Sequence, residues 1–248
     1  LIVIEPDIGT TLSLTIALGL ILYLAGVRAS YLIATGAIAG LALMIMIFGF
    51  GYEQDRVVDY FNGLKDPLKS QYQVLQGIIA IGSGGFIGTG PGEGGQKLLF
   101  LPESYSDFVF ANIAEESGLL ITLFLITLYA MLFLRGYKIA RQSLSFEGSL
   151  VASGLTTLIA ASAFINIGVV MGLIPVTGLP LPFISYGGSS MLFSMAAVGI
   201  ILSVAQESEK SSKMGINSRD KHNLRRRWYR RTHISGSGYR RTAYRRKR

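Results

Sequence analysis

The chain of 248 residues is 50% hydrophobic and only 15% charged, with a mean hydropathy of +0.45, which excludes an ordinary soluble globular domain and indicates a membrane protein. Its net charge of +8 comes from the C-terminal tail, because residues 207–248 carry +12 and residues 1–206 carry −4. Cysteine is absent and both histidines, His222 and His233, lie in the tail, so any catalyst in the remainder is expected to be a carboxylate.

Five apolar windows are long enough to cross about 30 Å of hydrocarbon as helices. They are residues 8–27, 31–50, 108–134, 150–174 and 189–204. We therefore predict an all-α, polytopic membrane helical bundle over residues 1–206. The chain starts at Leu1 without a signal-peptide pattern, and we interpret it as a fragment of a longer protein.

Basic residues set the predicted orientation of these windows. The basic loop after the third window, residues 135–141, is assigned to the cytoplasm, as are Arg28 and the basic tail. The loop 51–107 and the segment 175–187 then lie on the outer face. A loop as long as 51–107 is more often a functional site than a simple connector.

Two stretches of the outer loop suggest local structure. Residues 72–82 are apolar but too few to cross, which predicts a re-entrant or interfacial helix. Residues 82–95 contain eight glycines in fourteen positions, and bare amides of this kind can wrap a diphosphate. Because neither GxGxxG after a strand nor GK[ST] is present, tight turns or close packing are favoured over diphosphate contact.

Asp107 lies where the outer loop meets the third window. A carboxylate in hydrocarbon costs about 2.5 to 3.5 kcal/mol, so such groups face a cavity, find a partner or perform chemistry. The residues alone leave open whether Asp107 is a helix N-cap, with Ser104 at capping-box spacing, or a reactive group. For Glu115 and Glu116, deeper in the window, hydrogen bonding between helices is favoured.

Two further patterns concern packing. Gly36 and Gly40 form a GxxxG pair, which predicts close approach of another helix. The segment 175–190, PVTGLPLPFISYGGSS, has three prolines in its first eight residues. Irregular backbone at a membrane boundary is tolerated only where protein or a water cavity satisfies it, so we predict a structured outer re-entry beside a cavity.

The tail, residues 207–248, is predicted to be disordered and cytoplasmic. Its stretches RRRWYRR and YRRTAYRRKR interleave arginine with aromatic residues, as nucleic-acid binders also do. At about 1 kcal/mol per basic residue near a charged membrane surface, anionic lipid is the favoured contact. A protein partner is the next alternative, and nucleic acid is the least favoured.

Four motifs follow one another along the membrane region: EPDIGT at 5–10, YQVLQGIIAIGSGG at 72–85, QKLLFLPESYSDFVFANIAEESG at 96–118 and TGLPLPFISYGGSS at 177–190. Together they resemble the SEDS family of bacterial cell-wall polymerases, the FtsW, RodA and SpoVE group. The resemblance implies a ten-span helical bundle, of which this chain would be the second half. Gln96 and Lys97 are more similar to division-type FtsW members, with an elongation role of the RodA type as the alternative.

The resemblance implies inverting polymerisation of lipid II into glycan strands on the outer face of the cytoplasmic membrane, at the division septum. Asp107 falls on the family's essential aspartate and would be the general base, with desolvation raising its pKa from about 3.9. Tyr105 and Ser106 stand where the family usually has His-Thr. A lipid-linked diphosphate leaves once its charge is neutralised, so one base and nearby cations should suffice, whereas glycoside hydrolysis uses two carboxylates.

Substrate contacts are predicted at eight further positions. Lys97 and Arg56 would meet phosphate oxygens. The other predicted substrate-binding residues are Gln96, Glu103, Glu116, Ser185, Gly188 and Ser189. No cofactor is assigned, although a divalent cation, Mg²⁺ or Mn²⁺, could assist. The expected partners are lipid II, a class B penicillin-binding transpeptidase, other division proteins, and membrane lipids at the tail.

Two other classes of function remain open. A flippase for lipid-linked precursors would translocate its substrate without Asp107. A scaffold that positions a transpeptidase would need no acid of the membrane region for synthesis. The absence of repeated charges through the windows disfavours an ion-coupled transporter.

Overall fold

The structure is a computed structural model that describes residues 8–50, 54–66, 71–95 and 105–213. Over these ranges the fold is entirely helical, without a strand. Its helices are α1 (Ile8–Leu24), α2 (Ala29–Phe50), α3 (Gln54–Lys65), α4 (Tyr72–Gly84), α5 (Val109–Gln142), α6 (Phe146–Val170) and α7 (Gly188–Lys213). The predicted fold class is confirmed, and α4 lies where the sequence placed a short apolar helix.

Three of the described helices are long and apolar enough to cross a membrane: α5, α6 and the Gly188–Lys210 part of α7. The described stretches Gly9–Leu24 of α1 and Ala29–Ala42 of α2 are apolar but shorter. A polytopic helical membrane protein is therefore confirmed, whereas the number of five spans stays a prediction.

The end of α5 differs from its predicted boundary. The apolar window ends at residue 134, but the helix continues to Gln142, so the basic residues of 135–141 lie on its last turns and not in a loop. Ser145 then caps α6, since its Oγ accepts a hydrogen bond from Gly148 N at 3.1 Å. Arginine and lysine have good helix propensity, which is why the hydrophobic window underestimates the helix.

The central helix of the bundle is α6, which contacts α1, α4, α5 and α7. In its apolar stretch 56% of the residues are buried, against 6% in that of α7. Small residues allow this packing: a Cβ on Gly154 would lie 2.5 Å from Ile21 Cδ1, and one on Gly136 would overlap Thr156. Because α6 is held on several sides, it can position the segments at its ends.

Contacts along the bundle define its two ends. Ser208 Oγ donates to Gln142 O at 2.7 Å, which joins the C-terminal parts of α5 and α7. At the opposite end, a Cβ on Gly9 would lie 2.5 Å from Thr177 O, so the start of α1 packs on the segment that follows α6. We call this end, where α1 and α5 begin and α6 ends, the site end.

No described helix closely approaches the GxxxG pair of α2, so the close approach predicted there stays a prediction. A Cβ on Gly36 or Gly40 would meet nothing within 4 Å among the described residues. Neighbouring apolar side chains of α2, such as Ile33 and Ile38, are 72% and 68% exposed. In the described part of the chain, α2 therefore packs mainly on α1 and presents its glycines outward.

Candidate functional site

Asp107 lies in the turn directly before α5 and is partly buried. The helix begins at Val109 and Phe108 occupies the N-cap position, so Asp107 is not the N-cap residue. Phe108 and Phe110 are each 1% exposed and anchor the turn in the core. Asp107 therefore stands at the rim of a well-packed region, at the site end of the bundle.

Asn166 fixes the backbone of Asp107. Its Nδ2 donates to Asp107 O at 2.7 Å and to Leu179 O at 2.6 Å. Asn166 is 2% exposed and lies near the C-terminal end of α6. Because an amide nitrogen carries two hydrogens, both are used to join the turn before α5 to the segment after α6.

The two preceding carbonyl groups of the turn are held as well. Ser185 Oγ donates to Ser106 O at 2.5 Å and accepts from Leu181 N at 2.7 Å. Tyr186 N donates to Tyr105 O at 2.9 Å. Three successive carbonyls, from residue 105 to residue 107, thus accept hydrogen bonds from groups far along the chain.

Two of these donors, Ser185 and Tyr186, belong to residues 171–187, which we call the re-entry segment. The third, Asn166, precedes this segment on α6. The segment has no regular helix but is firmly packed, with Leu181 fully buried. Tyr129 of α5 donates its hydroxyl hydrogen to Pro182 O at 2.5 Å. Phe183 has a φ of +69°, a left-handed conformation that costs a bulky residue about 1 to 3 kcal/mol and persists only when its surroundings impose it. The irregular, packed backbone predicted for residues 175–187 is therefore observed, whereas its outer location and a neighbouring cavity stay predictions.

Gly178 of the re-entry segment lies beside the Asp107 carboxylate. A Cβ on Gly178 would stand 3.7 Å from Asp107 Oδ2. Gly178 is exposed and has a φ of +69°, which suits glycine. A side chain at this position would begin in contact with the carboxylate.

Helix α5 is interrupted soon after Asp107. Gly118 has φ 74° and ψ −178°, a conformation that is essentially limited to glycine. A break of this kind leaves carbonyls of the preceding turn without helical partners. Thr89 N donates to Glu115 O at 3.0 Å and Gly90 N donates to Glu116 O at 3.1 Å, so the glycine-rich loop supplies the missing donors.

The glycines of residues 82–95 permit this contact. A Cβ on Gly84 would overlap Ala114 O, and one on Gly88 would overlap Glu116 O. Leu119 N in turn donates to Gly85 O at 2.9 Å. The loop therefore uses its glycines for backbone contact with α5, which supports close packing over a diphosphate cradle.

The two glutamates of α5 lie beneath this loop. Glu115 is 3% exposed, and a Cβ on Gly94 would lie 3.0 Å from its Oε2. The same Cβ would lie 3.3 Å from Oε1 of Glu116, a predicted substrate-binding residue. Since Glu116 is partly exposed and Glu115 is not, only Glu116 remains accessible to a substrate.

Other predicted substrate-binding residues also lie at the site end. Ser185 is buried with its hydroxyl engaged, while Gly188 and Ser189 are exposed in the first turn of α7. Arg56 is half-buried on α3. Gln96, Lys97 and Glu103 lie outside the described residues.

Helix α3 is itself attached to this end of the molecule. The hydroxyl of Tyr60 donates to Leu173 O of the re-entry segment at 2.7 Å. Within the described ranges, no group of three or more His, Cys, Asp or Glu side chains could hold a metal ion. Assistance by a divalent cation therefore stays a prediction.

Sequence analysis missed two residues that organise the site. Asn166 and Tyr129 both lie inside apolar windows, where a polar side chain requires a partner. That requirement was a usable signal, but the sequence does not identify the partner.

Comparison with known proteins is consistent with this arrangement. The family model of FtsW, RodA and SpoVE, described as "Cell cycle protein", matches residues 1–210. A Geobacter metallireducens protein named "Probable peptidoglycan glycosyltransferase FtsW" is 39% identical over 201 residues, covering 81% of this chain and 54% of the relative. "Stage V sporulation protein E" of Bacillus subtilis is 38% identical over 208 residues, covering 84% and 57%.

A solved structure described as "Structural coordination of polymerization and crosslinking by a peptidoglycan synthase complex" has the same fold. Its TM-score is 0.64 at 26% identity, over 83% of this chain and 57% of the solved one. The chain spans about half the length of the curated relatives that it matches. By family match and by identity to these relatives, the chain belongs to the FtsW/RodA/SpoVE family.

Proposed function

We propose that the protein containing this chain is a peptidoglycan glycosyltransferase that polymerises lipid II during septal wall synthesis, with Asp107 as general base. One observation carries the proposal: a partly exposed aspartate whose backbone is fixed through three successive carbonyls, and whose carboxylate lies beside the exposed Gly178. Relatives named as probable peptidoglycan glycosyltransferases FtsW support the activity and favour the division role.

In the proposed reaction the Asp107 carboxylate removes the proton from the acceptor sugar hydroxyl as its oxygen attacks the anomeric carbon of the donor. The bond from that carbon to the phosphate oxygen breaks, and its electron pair leaves with the lipid-linked diphosphate. Attack from the face opposite the leaving group inverts the anomeric configuration. The proton stays on Asp107 and is then lost to water, which restores the base.

Charge on the departing diphosphate requires cations. Arg56 lies on α3, which Tyr60 ties to the site end, and it is our candidate among the described residues. Lys97 is the second candidate. Ser185 is no longer assigned to the substrate, because it is buried and its hydroxyl binds Leu181 N and Ser106 O. Contacts with the sugars are assigned to the other predicted residues: Gln96, Glu103, Glu116, Gly188 and Ser189. A Mg²⁺ or Mn²⁺ ion would supply further neutralisation.

The site end is proposed to face outward from the cytoplasmic membrane. The basic residues of 135–141 lie at the opposite end of α5, and the positive-inside rule assigns that end to the cytoplasm. A class B penicillin-binding transpeptidase is the proposed partner, supported by the similarity to a chain from a peptidoglycan synthase complex. The basic tail would bind anionic lipid on the inner surface.

The decisive experiment measures glycan chains made from lipid II by the full-length protein with its transpeptidase partner. We expect Asp107→Asn to lower the rate by roughly 10²- to 10⁴-fold, the usual contribution of a general base. Asp55→Asn, the same substitution at an exposed position of α3, is the matched control and should retain activity. Undiminished product with Asp107→Asn refutes the catalytic role.

The same variant separates the rival functions. A flippase predicts lipid II translocation across vesicles that survives Asp107→Asn, with no polymer made by the purified protein. A scaffold predicts that polymer formation depends on the transpeptidase preparation and is indifferent to Asp107. Either result would replace the proposed activity.

A further inference from the structure

The structure assigns a positioning role to Asn166 and Ser185: we propose that their hydrogen bonds to the turn before α5 set the location of the Asp107 carboxylate. This inference rests on the proposed function of Asp107 as general base. Neither residue touches the reacting atoms in this proposal, because both bind backbone carbonyls of the turn.

The Asn166 contact joins three elements at one point. The amide is 2% exposed on α6, the most buried of the membrane-length helices, so its position is set by core packing. Its two donated bonds reach Asp107 O and Leu179 O, which lie 59 and 13 residues away in sequence. Removing the amide would separate the Asp107 turn from the re-entry segment and leave two buried carbonyls without these donors.

The Ser185 contact has a fixed direction. Leu181 N–H donates to the Ser185 oxygen, so the single hydroxyl hydrogen is available for Ser106 O. Hydrogen bonds arranged in such a chain polarise one another and strengthen the set. Ser185 of the re-entry segment therefore holds the carbonyl of residue 106, and Asn166 of α6 holds the adjacent carbonyl of residue 107.

Two adjacent anchors restrict the backbone on the N-terminal side of the α5 helix. The buried rings of Phe108 and Phe110 restrict it on the other side. The Cα of Asp107 is thereby held between them, which limits where the carboxylate can lie. A general base needs this placement, since it must stand about 2.6 to 3.2 Å from the proton that it removes.

The expected kinetic effect follows from this geometry. A misplacement of about 1 Å in a catalytic group can cost on the order of 10²-fold in rate. Because the base acts in the transition state and the proposed anchors do not contact lipid II, the loss should fall on kcat and leave KM nearly unchanged. A purely structural role would instead lower the amount of folded protein without changing kcat per folded molecule.

The test uses the full-length protein with its transpeptidase partner, and lipid II as substrate. Asn166→Leu and Ser185→Ala remove the two anchors separately, so that failure of one variant to fold leaves the other. Thr157→Val is the matched control, since it deletes a buried side-chain bond to Ser153 O in the same helix without touching the turn. Folded protein is quantified by size-exclusion chromatography, and rates are expressed per folded molecule.

We expect each anchor variant to lower kcat by about 10- to 100-fold with little change in KM, while Thr157→Val keeps both. Parent-like kcat in a folded Asn166→Leu or Ser185→Ala protein, or a loss confined to KM, overturns the positioning role. If Asp107→Asn is inactive while both anchor variants are fully active, only this inference fails. If Asp107→Asn is itself fully active, the proposed function fails and the positioning role fails with it.

A double substitution sharpens the result. When Asn166 acts through Asp107, Asn166→Leu should cause no further loss on the residual activity of Asp107→Asn. Losses that multiply would instead show that Asn166 acts independently of the base, and they would contradict the proposal.

Discussion

Two irregular segments pack against the beginning of α5, and they do so by different means. The glycine-rich loop, residues 82–95, brings its backbone directly onto the backbone of α5 around Gly118. The re-entry segment, residues 171–187, is instead held largely by side chains, those of Tyr129, Asn166 and its own Ser185.

The backbone contacts and the side-chain contacts serve two different roles within a few turns of α5. Backbone contact through glycine tolerates no added side chain, and it stabilises a helix break that exposes carbonyls at residues 115 and 116. Side-chain anchors can place a turn more finely, because the helices that carry Tyr129 and Asn166 position these side chains. We infer that the glycine-rich loop maintains the shape of α5, whereas the re-entry segment orients the Asp107 turn.

Gly118→Ala should have the largest effect on stability. The substitution forces a side chain into a glycine-only conformation and places its Cβ against backbone atoms of residues 86–88, for a combined cost of roughly 2 to 6 kcal/mol. The midpoint of thermal denaturation of the detergent-solubilised full-length protein measures this. Gly199→Ala in α7, where a Cβ meets nothing within 4 Å, is the control and should not lower the midpoint, since alanine in a helix is favoured over glycine by about 0.5 to 1 kcal/mol.

Gly84→Ala tests the backbone contact from the loop side. A Cβ there would overlap Ala114 O, and we expect a loss of about 3 kcal/mol in stability. Gly82→Ala lies on the same helix, α4, with open space around its Cβ, and should stabilise that helix by about 0.5 to 1 kcal/mol. Equal thermal stability of the two variants would contradict the close-packing role of the glycines.

Tyr129→Phe tests a side-chain anchor of the re-entry segment. It leaves the buried Pro182 carbonyl without this donor and should cost about 1 to 2 kcal/mol. Tyr137→Phe on the same helix keeps its ring stacking with Phe133 and should leave the denaturation midpoint unchanged. If the two variants behave alike, the Tyr129 hydroxyl does not hold the segment.

Ser145→Ala provides the baseline for an ordinary contact far from both segments. Loss of the cap of α6 should cost about 1 kcal/mol and leave polymerisation unchanged. Ser145→Asp keeps a capping oxygen and should restore stability. Reduced activity per folded molecule in Ser145→Ala would mean that a general loss of stability reaches the site, which would weaken the distinction between the two segments.

Part of the architecture follows directly from local patterns. Apolar windows of sufficient length indicate helices whatever the rest of the chain does, and α4 could be predicted because ten apolar residues are too few to cross. The end of α5 was misplaced since arginine and lysine stop a hydrophobic window without stopping a helix. Here length and hydrophobicity, which are properties of single segments, were sufficient for the class of fold.

The site itself depends on contacts between distant segments. The break at Gly118 is stable only because amides of residues 89 and 90 replace helical donors, and no local pattern distinguishes it from an ordinary glycine in a helix. The bonds that hold the Asp107 turn span 59 and 79 residues of sequence. Sequence alone determined that helices form and that an acid stands at the start of one of them. Tertiary structure decided which donors reach its backbone, because hydrogen bonds over such separations exist only once the helices have packed.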